Sequence, residues 1–500
     1  MNDDLQRLKS VLGEVSDLNS ACAVLEWDQH TYMPPGGAED RGNQMATLSS
    51  LAHVRFTALE VGKLLDGLQP RLASLDPNSD DARLIRVTAR EYRKKTRVPA
   101  EMVAEFAQVT TAAQQVWQEA RAASDFARFE PHLAKIVDLR RRYAALFAPF
   151  DHVYDPLLDD FEPGLKTADV KAIFAELRPK QVALIRAIGE RPQVDDSFLC
   201  KSYDTRKQWE FGVHVATCFG YDWSRGRQDV SAHPFSTTFG HGDVRITTRI
   251  VAESLASGLF STLHEAGHAM YEQGVAPELS RTPLAGGASL ALHESQSRMW
   301  ENLVGRSRPF WDHFYPQLRK IFPEQLGGVD LDTFYKGINK VERSLIRIDA
   351  DEATYNLHVM LRLELEIALM DGSLEVKDLP RAWNGRMVEY LGIEPPNDAQ
   401  GVLQDVHWSA GSIGYFSTYA LGNLVSAQLW ERIHADVPDL DDRIRRGDFS
   451  TLLGWLREKV HRHGSKFEPQ ELVARVTGTK IDPAPYLRYL TTKFTEIYGM

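Results

Sequence analysis

The sequence predicts a mainly helical protein with one short β-ribbon. Apolar residues recur at the 3.6-residue spacing of amphipathic helices through most of the chain, beginning with Leu5, Leu8, Leu12 and Val15. Residues 236–250 instead predict a hairpin, because residues 244–249 alternate in the way typical of strands and a GHGD turn separates them from residues 236–239. No internal repeat, low-complexity tract or Ser/Gly-rich linker divides the 500 residues. Together these observations favour one large helical unit with a small sheet.

The predicted helices follow one another with breaks at proline and glycine. The first covers residues 3–24, and the segment 31–42 interrupts the pattern with two prolines and two adjacent glycines. Further helices are predicted before the ribbon at residues 43–68, 77–95, 100–123, 127–148, 167–189 and 205–219, with a loop at 151–163. After the ribbon they are predicted at 251–273, 289–305 and 331–371, and through most of the remainder except near 395–396 and 483–485.

Composition and charge narrow the function classes. The net charge of −11 argues against nucleic acid as a partner, because phosphate binding needs clustered Lys and Arg. No run of about 18 apolar residues predicts a membrane span, and the N-terminal stretch lacks the apolar segment of a signal peptide. Cys22, Cys200 and Cys218 are far apart and form no CxxC pair, as is typical of thiols in a reducing compartment. We therefore expect a cytoplasmic protein with no nucleic-acid or membrane partner.

Residues 263–270, LHEAGHAM, contain an HExxH pattern on a predicted helix. His264 and His268 would lie about 40° apart around the helix axis and about 5.4 Å apart along it. Two imidazoles in that arrangement can bind one tetrahedral ion with bonds of about 2.1 Å. Glu265 lies beside them and can hold a metal-bound water without binding the ion, as in zinc peptidases.

A zinc site of this type needs a third protein ligand. The metzincin extension HExxHxxGxxH does not supply it, because Gly274 stands where the third His would be. The gluzincin arrangement uses a Glu on a following helix, and Glu294 lies 26 residues after His268. His293 is the alternative ligand at this point. A His pair on a helix can also be an ordinary surface or core feature.

Six short motifs occur in one order along the chain. They are HPF (233–235), DVRIT (243–247), HEAGH (264–268), HESQ (293–296), IRIDAD (346–351) and GVLQDVHW (401–408). They resemble the M32 family of metallocarboxypeptidases, the thermostable Taq type, and no motif position departs from the family pattern. WDQHTYMPPGGAEDRGNQ (27–44) and PAPYLRYL (483–490) extend the resemblance over nearly the whole chain.

The resemblance implies a cytoplasmic, largely helical homodimer with a long substrate groove, similar in fold to neurolysin-like oligopeptidases. It implies removal of single residues from peptides with a free C-terminal carboxylate, and one zinc ion per chain, or cobalt in some members. We expect one catalytic unit over residues 1–500. It would comprise a helical N-terminal part (about 1–230), a core with the metal and substrate sites (about 231–420) and a helical C-terminal part (about 421–500).

The predicted roles at the metal follow from this resemblance and from the chemistry of the side chains. His264, His268 and Glu294 are the expected ligands, and the family motif favours Glu294 over His293, which then supports a ligand or lines the substrate pocket. Glu265 is the expected base that takes a proton from metal-bound water and passes it to the leaving amine.

Recognition of a C-terminal carboxylate suits arginine, whose planar fork matches two oxygens. Following the family motif, Arg347 is the first candidate and Arg245 the second. The structural alternative for Arg347 is an i,i+4 salt bridge with Asp351 on the same helix, and for Arg245 it is an ordinary ion pair.

Further side chains are candidates for the substrate groove. His407 and Tyr415 could donate hydrogen bonds to the tetrahedral intermediate, although aromatic residues in such segments also serve helix packing. The remaining candidates, which could line the groove or support other groups, are His233, Gln404 and Asp405.

Two other functions compete with a carboxypeptidase that releases single residues. A zinc oligopeptidase or dipeptidyl carboxypeptidase of the gluzincin type shares HExxH and a distal Glu, and the length of the products distinguishes it. A non-catalytic helical scaffold with a structural zinc is the other, and Glu265 argues against it because a structural site has no use for a base.

Overall fold

The computed structural model describes residues 2–500, and its N-terminal half is a series of helices joined by short loops. The helices before the sheet are α1 (Asn2–Thr31), α2 (Ala38–Phe56), α3 (Leu59–Leu68), α4 (Asp80–Arg97), α5 (Ala100–Ala123), α6 (Phe126–Ala145), α7 (Asp155–Asp159), α8 (Thr167–Gly189) and α9 (Thr205–Phe219). Local chemistry explains their ends. In α4, for example, the Ser79 side chain caps the N-terminus, Asp80 and Asp81 lie in the first turn, and basic residues fill the last turn.

A three-stranded sheet follows, with β1 (Gln228–Val230), β2 (Ser236–Gly240) and β3 (Asp243–Thr248) in the order β1-β3-β2. β2 and β3 form the antiparallel hairpin that the alternating pattern predicts, and β1 adds a parallel strand that the sequence did not indicate. The sheet packs on the next helix, α10 (Leu255–Gly274), and so lies beside the HExxH residues.

The second half of the chain is helical again. Its elements are α11 (Leu290–Arg298), a π-helical turn (Met299–Val304), α12 (Arg308–Ile321), α13 (Pro323–Leu326), α14 (Leu331–Ile338), α15 (Tyr355–Asp371), α16 (Leu379–Leu391), α17 (Ser417–Asp436), α18 (Leu440–Arg445), α19 (Ser450–Lys459), α20 (Pro469–Thr477) and α21 (Ala484–Tyr498). The mainly helical class with a small sheet is therefore confirmed. Among the described helices, none has both the length and the apolar composition that crossing a membrane requires.

The apolar side chains form two clusters. Helices α1 to α4 bury one of their own, which includes Leu8, Leu65 and Ile85 and extends to Leu279 in the loop after α10. The larger cluster covers α5 to α21 and contains the inner faces of α10 and α11. The helices that carry the candidate site thus lie in the larger core, with the N-terminal helices beside them. The division into three parts stays a prediction.

The helix predicted over residues 331–371 is wrong, because the structure divides it into α14 and α15. The intervening residues 339–354 are irregular and contain a short 3-10 turn, Arg347–Asp349. Asp351 stabilises this break through its carboxylate, which accepts hydrogen bonds from the backbone N–H groups of Glu342, Ala353 and Thr354. A side chain that satisfies backbone donors in this way competes with the helix, whatever the apolar spacing.

Smaller differences concern boundaries. The predicted helix 43–68 is two helices, α2 and α3, and the predicted loop 151–163 contains the short helix α7.

Candidate metal centre

The HExxH residues lie on α10, and the expected third ligand lies on α11. Ser254 caps the N-terminus of α10 by accepting from Ser257 N–H, and Ser289 caps α11 by accepting from Leu292 N–H. The loop between the helices lets α11 pack against α10, which is how Glu294 reaches the two histidines.

The structure brings His264, His268 and Glu294 together. Glu294 Oε2 lies 3.6 Å from His264 Nε2 and 3.5 Å from His268 Nε2, and the three donor atoms all lie within 4.8 Å of one another. A tetrahedral ion with bonds of about 2.1 Å separates its ligand atoms by about 3.4 Å. The separations to Glu294 therefore fit one small divalent cation, and a set of two imidazoles and one carboxylate is chemistry that zinc accepts.

The Nδ1 atom of His264, on the side of the ring away from Glu294, contacts an acidic residue that the sequence did not predict. Glu301 Oε2 lies 2.9 Å from His264 Nδ1, which leaves Nε2 for an ion. Arg298 links the two acids, with Nε 2.7 Å from Glu294 Oε1 and Nη1 3.1 Å from Glu301 Oε2. Burial opposes ionisation of both carboxylates, but Arg298 and His264 outweigh it, holding the pKa of Glu294 well below its usual range and that of Glu301 at about 2.

The same negative field acts on His264. Burial alone would lower the pKa of His264, yet Glu294 and Glu301 raise it. A field that favours a proton on an imidazole also favours a metal cation between the ligands.

His268 is held by a second chain of side chains. Its Nδ1 lies 2.8 Å from His293 Nδ1, and His293 Nε2 lies 2.6 Å from Glu272 Oε1. Glu272 Oε1 also accepts a hydrogen bond from Gly287 N–H at 3.0 Å. His293 is therefore a hydrogen-bond partner of His268 in this structure. Both of its ring nitrogens contact protein side chains, Nδ1 that of His268 and Nε2 that of Glu272.

Two glycines allow the helices of the site to approach. A Cβ on Gly267, inside the HExxH pattern, would lie 2.7 Å from the Cα of Ser297 on α11. A Cβ on Gly422 of α17 would lie 2.6 Å from the Cβ of Glu294. Any larger residue at either position would push a neighbouring helix away, so these glycines set the position of Glu294.

Glu265 is buried beside the ligands, with 6% of its surface exposed. Burial raises the pKa of its carboxyl to about 7, although His264 acts in the opposite direction. A carboxyl group near neutrality can both accept and return a proton.

Arg347 lies in a buried polar cluster. Its Nε and Nη2 donate to Asp405 Oδ1 at 3.0 and 2.9 Å, and its Nη1 donates to the Tyr355 hydroxyl at 2.9 Å. Arg362 Nε donates to Asp405 Oδ2 at 2.6 Å, and Gln404 Oε1 accepts from Arg362 Nη2 and from the backbone N–H of Arg347. The suggested Arg347–Asp351 salt bridge on one helix is wrong, because the 3-10 turn directs Arg347 towards Asp405 instead.

The charges of this cluster do not cancel. Asp405 is shared by two arginines, so the group carries one positive charge in excess. Burial lowers the pKa of His407 to about 4, so this neighbour adds no charge. A buried excess charge is costly unless an anion approaches it.

Tyr415 packs against two aromatic side chains near the Arg347 cluster. Its ring centroid is 5.3 Å from that of His407 and 5.3 Å from that of Tyr419. Burial raises the pKa of Tyr415, and the negative field of Glu294 adds to the effect. The phenol is therefore within electrostatic range of the candidate metal ligands.

Two predicted site residues, Arg245 and His233, contact neither the candidate metal ligands nor the Arg347 cluster. Arg245 donates to both oxygens of Asp243 at 2.8 Å and stacks on Trp27 at 4.4 Å. The side chain of His233 is exposed, and its backbone carbonyl accepts from Ser231.

Sequence reasoning also missed Glu272, Glu301, Arg298 and Arg362. For Glu272 a signal existed, since it follows His268 by four residues and shares its helical face. For Glu301 the π-helical turn changes the spacing after Glu294, and the sequence shows no sign of that turn.

Comparison with known proteins gives matches over the full length. The family model described as carboxypeptidase Taq (M32) metallopeptidase matches residues 7–494. The chain is 42% identical to thermostable carboxypeptidase 1 of Thermus thermophilus, over 99% of both chains. It is 37% identical to carboxypeptidase 1 of Bacillus subtilis, over 98% of this chain and 97% of that one. The crystal structure of an M32 carboxypeptidase from Deinococcus radiodurans R1 is similar with a TM-score of 0.97 and 45% identity, covering 100% of both chains.

Proposed function

Because this chain belongs to the carboxypeptidase Taq (M32) family of metallopeptidases, we propose that it releases single amino acids, one after another, from the C-termini of peptides. Membership itself makes the protein a metal-dependent carboxypeptidase, a hydrolase of peptide bonds. The observation that carries the finer proposal is the convergence of three donor atoms beside the buried carboxyl of Glu265. A cytoplasmic homodimer stays a prediction from the family resemblance.

His264, His268 and Glu294 are the proposed ligands of one zinc ion, with cobalt as the alternative metal. A bound divalent ion would polarise the scissile carbonyl and lower the pKa of a water towards about 7. Glu301 and His293 orient the two imidazoles from behind, so that both Nε2 atoms face the ion.

Glu265 is the proposed base. Its carboxylate takes a proton from the attacking water and later gives that proton to the leaving amine. Burial raises the pKa of this carboxyl group, which makes its carboxylate a stronger base than an exposed one.

Arg347 is the proposed partner of the C-terminal carboxylate of the peptide. Three of its five N–H groups donate to Asp405 and Tyr355. One N–H group on Nη1 and one on Nη2 remain, and these can donate to the two oxygens of the peptide carboxylate. The excess positive charge of the cluster supports this role. Arg245 is the second candidate, and its ion pair with Asp243 makes it the weaker one.

Tyr415 and His407 are the proposed donors to the oxyanion of the tetrahedral intermediate. Gln404 and Asp405 hold Arg347 in place, and His233 stays a candidate for the outer part of the groove.

The decisive experiment combines elemental analysis of the purified protein with mass spectrometry of peptide digests. We expect about one zinc or cobalt ion per chain and product masses that fall by one residue at a time. A chelator should stop the reaction, and added metal should restore it. Products shorter by two residues, or internal fragments, would instead favour the dipeptidyl carboxypeptidase or oligopeptidase alternative.

Replacing Glu272 with alanine is expected to weaken metal binding by up to about 10-fold, the lower end of the range for a group bonded directly to a ligand, because Glu272 acts through His293. His268 must carry its proton on Nδ1 to offer Nε2 to an ion, and it then donates to His293, which donates to Glu272. The measurement is metal affinity by competition with a chromogenic chelator.

Glu272→Gln keeps an acceptor oxygen for His293 and should recover most of the affinity. Equal metal affinity in native protein and Glu272→Ala would contradict the orienting role of this chain of hydrogen bonds.

A further inference from the structure

A cavity of 680 Å³ lies between the N-terminal helices and the larger core. One wall is formed by α1 and α4, and the opposite wall by residues 282–288 and 465–468. Leu12, Val15 and Phe56 give it an apolar part. Its size is in the range of cavities that hold small ligands or a few residues of a peptide.

The charged lining of this cavity is mainly basic. Five basic and two acidic side chains line it, an excess of three positive charges in a chain whose net charge is −11. Three of the basic residues have a carboxylate partner from outside the cavity lining. Their ion pairs are Arg83 with Glu471 at 2.8 Å, Arg90 with Asp159 at 2.7 Å and Lys466 with Asp80 at 2.5 Å.

Arg86 and Lys95, both on α4, differ from these three. Arg86 Nη1 donates to the backbone carbonyl of Pro77 at 3.2 Å, and Lys95 Nζ lies 4.9 Å from the ring centre of Phe56. Neither forms a salt bridge with a carboxylate among residues 2–500. Glu468, at the opposite wall, is the acidic lining residue that has no salt bridge in the same part of the chain. The two cations on α4 therefore outnumber the uncompensated acid.

The cavity borders the candidate metal centre through one loop. Gly287 lines the cavity, and its backbone N–H donates to Glu272, which is bonded to His293 and through it to His268. Thr238 of β2, an edge strand that contacts α10, also lines the cavity, so the cavity and the HExxH helix lie on neighbouring elements. Because an extended peptide advances about 3.3 Å per residue, only residues several positions before the cleaved bond would reach the cavity. A peptide cleaved at the metal could place its more distant residues in the cavity.

We propose that Arg86 and Lys95 form a binding site for carboxylate side chains of the peptide, several residues upstream of the bond that is cleaved. The proposal rests on the carboxypeptidase function and adds a substrate class to it, namely peptides with Glu or Asp several residues before the C-terminus. Partly exposed ion pairs are worth little each, so the site selects among peptides and does not govern catalysis.

The test compares two eight-residue peptides with the same four C-terminal residues and with either Glu or Gln at the upstream positions. For the native protein we expect kcat/KM to be about three- to tenfold higher for the Glu peptide. The ratio should approach one in the double variant Arg86→Ser/Lys95→Ser. It should also fall as the salt concentration rises, because ions screen such pairs.

The matched control is Arg93→Ser/Arg97→Ser, which removes the same charge from exposed positions of the same helix outside the cavity. It should keep the native ratio. A native ratio of one, a double variant with the native ratio, or an equal loss in the control would overturn the proposal. If the double variant does not fold, the single variants and the salt dependence of native protein give the same decision.

An N-blocked dipeptide, too short to reach the cavity, separates this proposal from the function on which it rests. If native protein with bound metal does not cleave it or the longer peptides, the carboxypeptidase function fails. If it cleaves them without preference for Glu, only the upstream site fails.

Discussion

Glu265→Gln is expected to lower kcat by about 10²- to 10⁴-fold, the usual contribution of a general acid–base, while the protein keeps its metal. Glutamine has nearly the shape of glutamate, so the packing around this buried position is retained. It cannot accept a proton from water at neutral pH, and the first step of hydrolysis is lost. The measurement is kcat on a C-terminal peptide substrate, with metal content determined on the same sample.

Glu253→Gln is the control. Glu253 is exposed just before α10, and replacing it with glutamine also removes one carboxylate. It should retain the native rate. A Glu265→Gln protein with full metal occupancy and a native rate would show that another group takes the proton.

Arg347→Ala is expected to raise KM about 100-fold or more for peptides with a free C-terminus, the scale of losing a buried charge-assisted contact. Binding of the same peptides with an amidated C-terminus should hardly change, since they lack the carboxylate. Asp405 keeps Arg362 as its partner in this variant, so no buried carboxylate is left without a cation. The measurement is KM for the free peptides and an inhibition constant for the amidated ones.

Arg245→Ala distinguishes the two candidate arginines. If Arg347 binds the carboxylate, Arg245→Ala leaves the preference for free over amidated peptides unchanged. Loss of that preference in Arg245→Ala, or an equal loss for both kinds of peptide in Arg347→Ala, would contradict the assignment.

The sequence predicted the helical class, the β2–β3 hairpin and the convergence of His264, His268 and Glu294. The first two follow from the spacing of apolar residues. The histidine pair follows from helix geometry, because residues four apart share a face on any α-helix. Glu294 came from the gluzincin arrangement and the family motif, and the structure places its Oε2 within 3.6 Å of both histidines.

Other features of the site were not predictable in this way. The sequence suggested Asp351 as the partner of Arg347, whereas Asp351 bonds to backbone N–H groups and Arg347 bonds to Asp405, 58 residues away. The sequence also did not predict that Gly267 lets two helices approach. Its lack of a side chain matters only because Ser297 of α11 packs against it.

The sequence by itself determined which residue types could bind a metal and where each would lie around its own helix, since these depend on local backbone geometry. Only the tertiary structure decided how close α10, α11 and α17 approach, which carboxylate Arg347 meets, and that Arg86 and Lys95 line a cavity. The physical reason is that contacts between elements depend on side-chain volume and charge balance across the whole core, and neither is a property of any one segment.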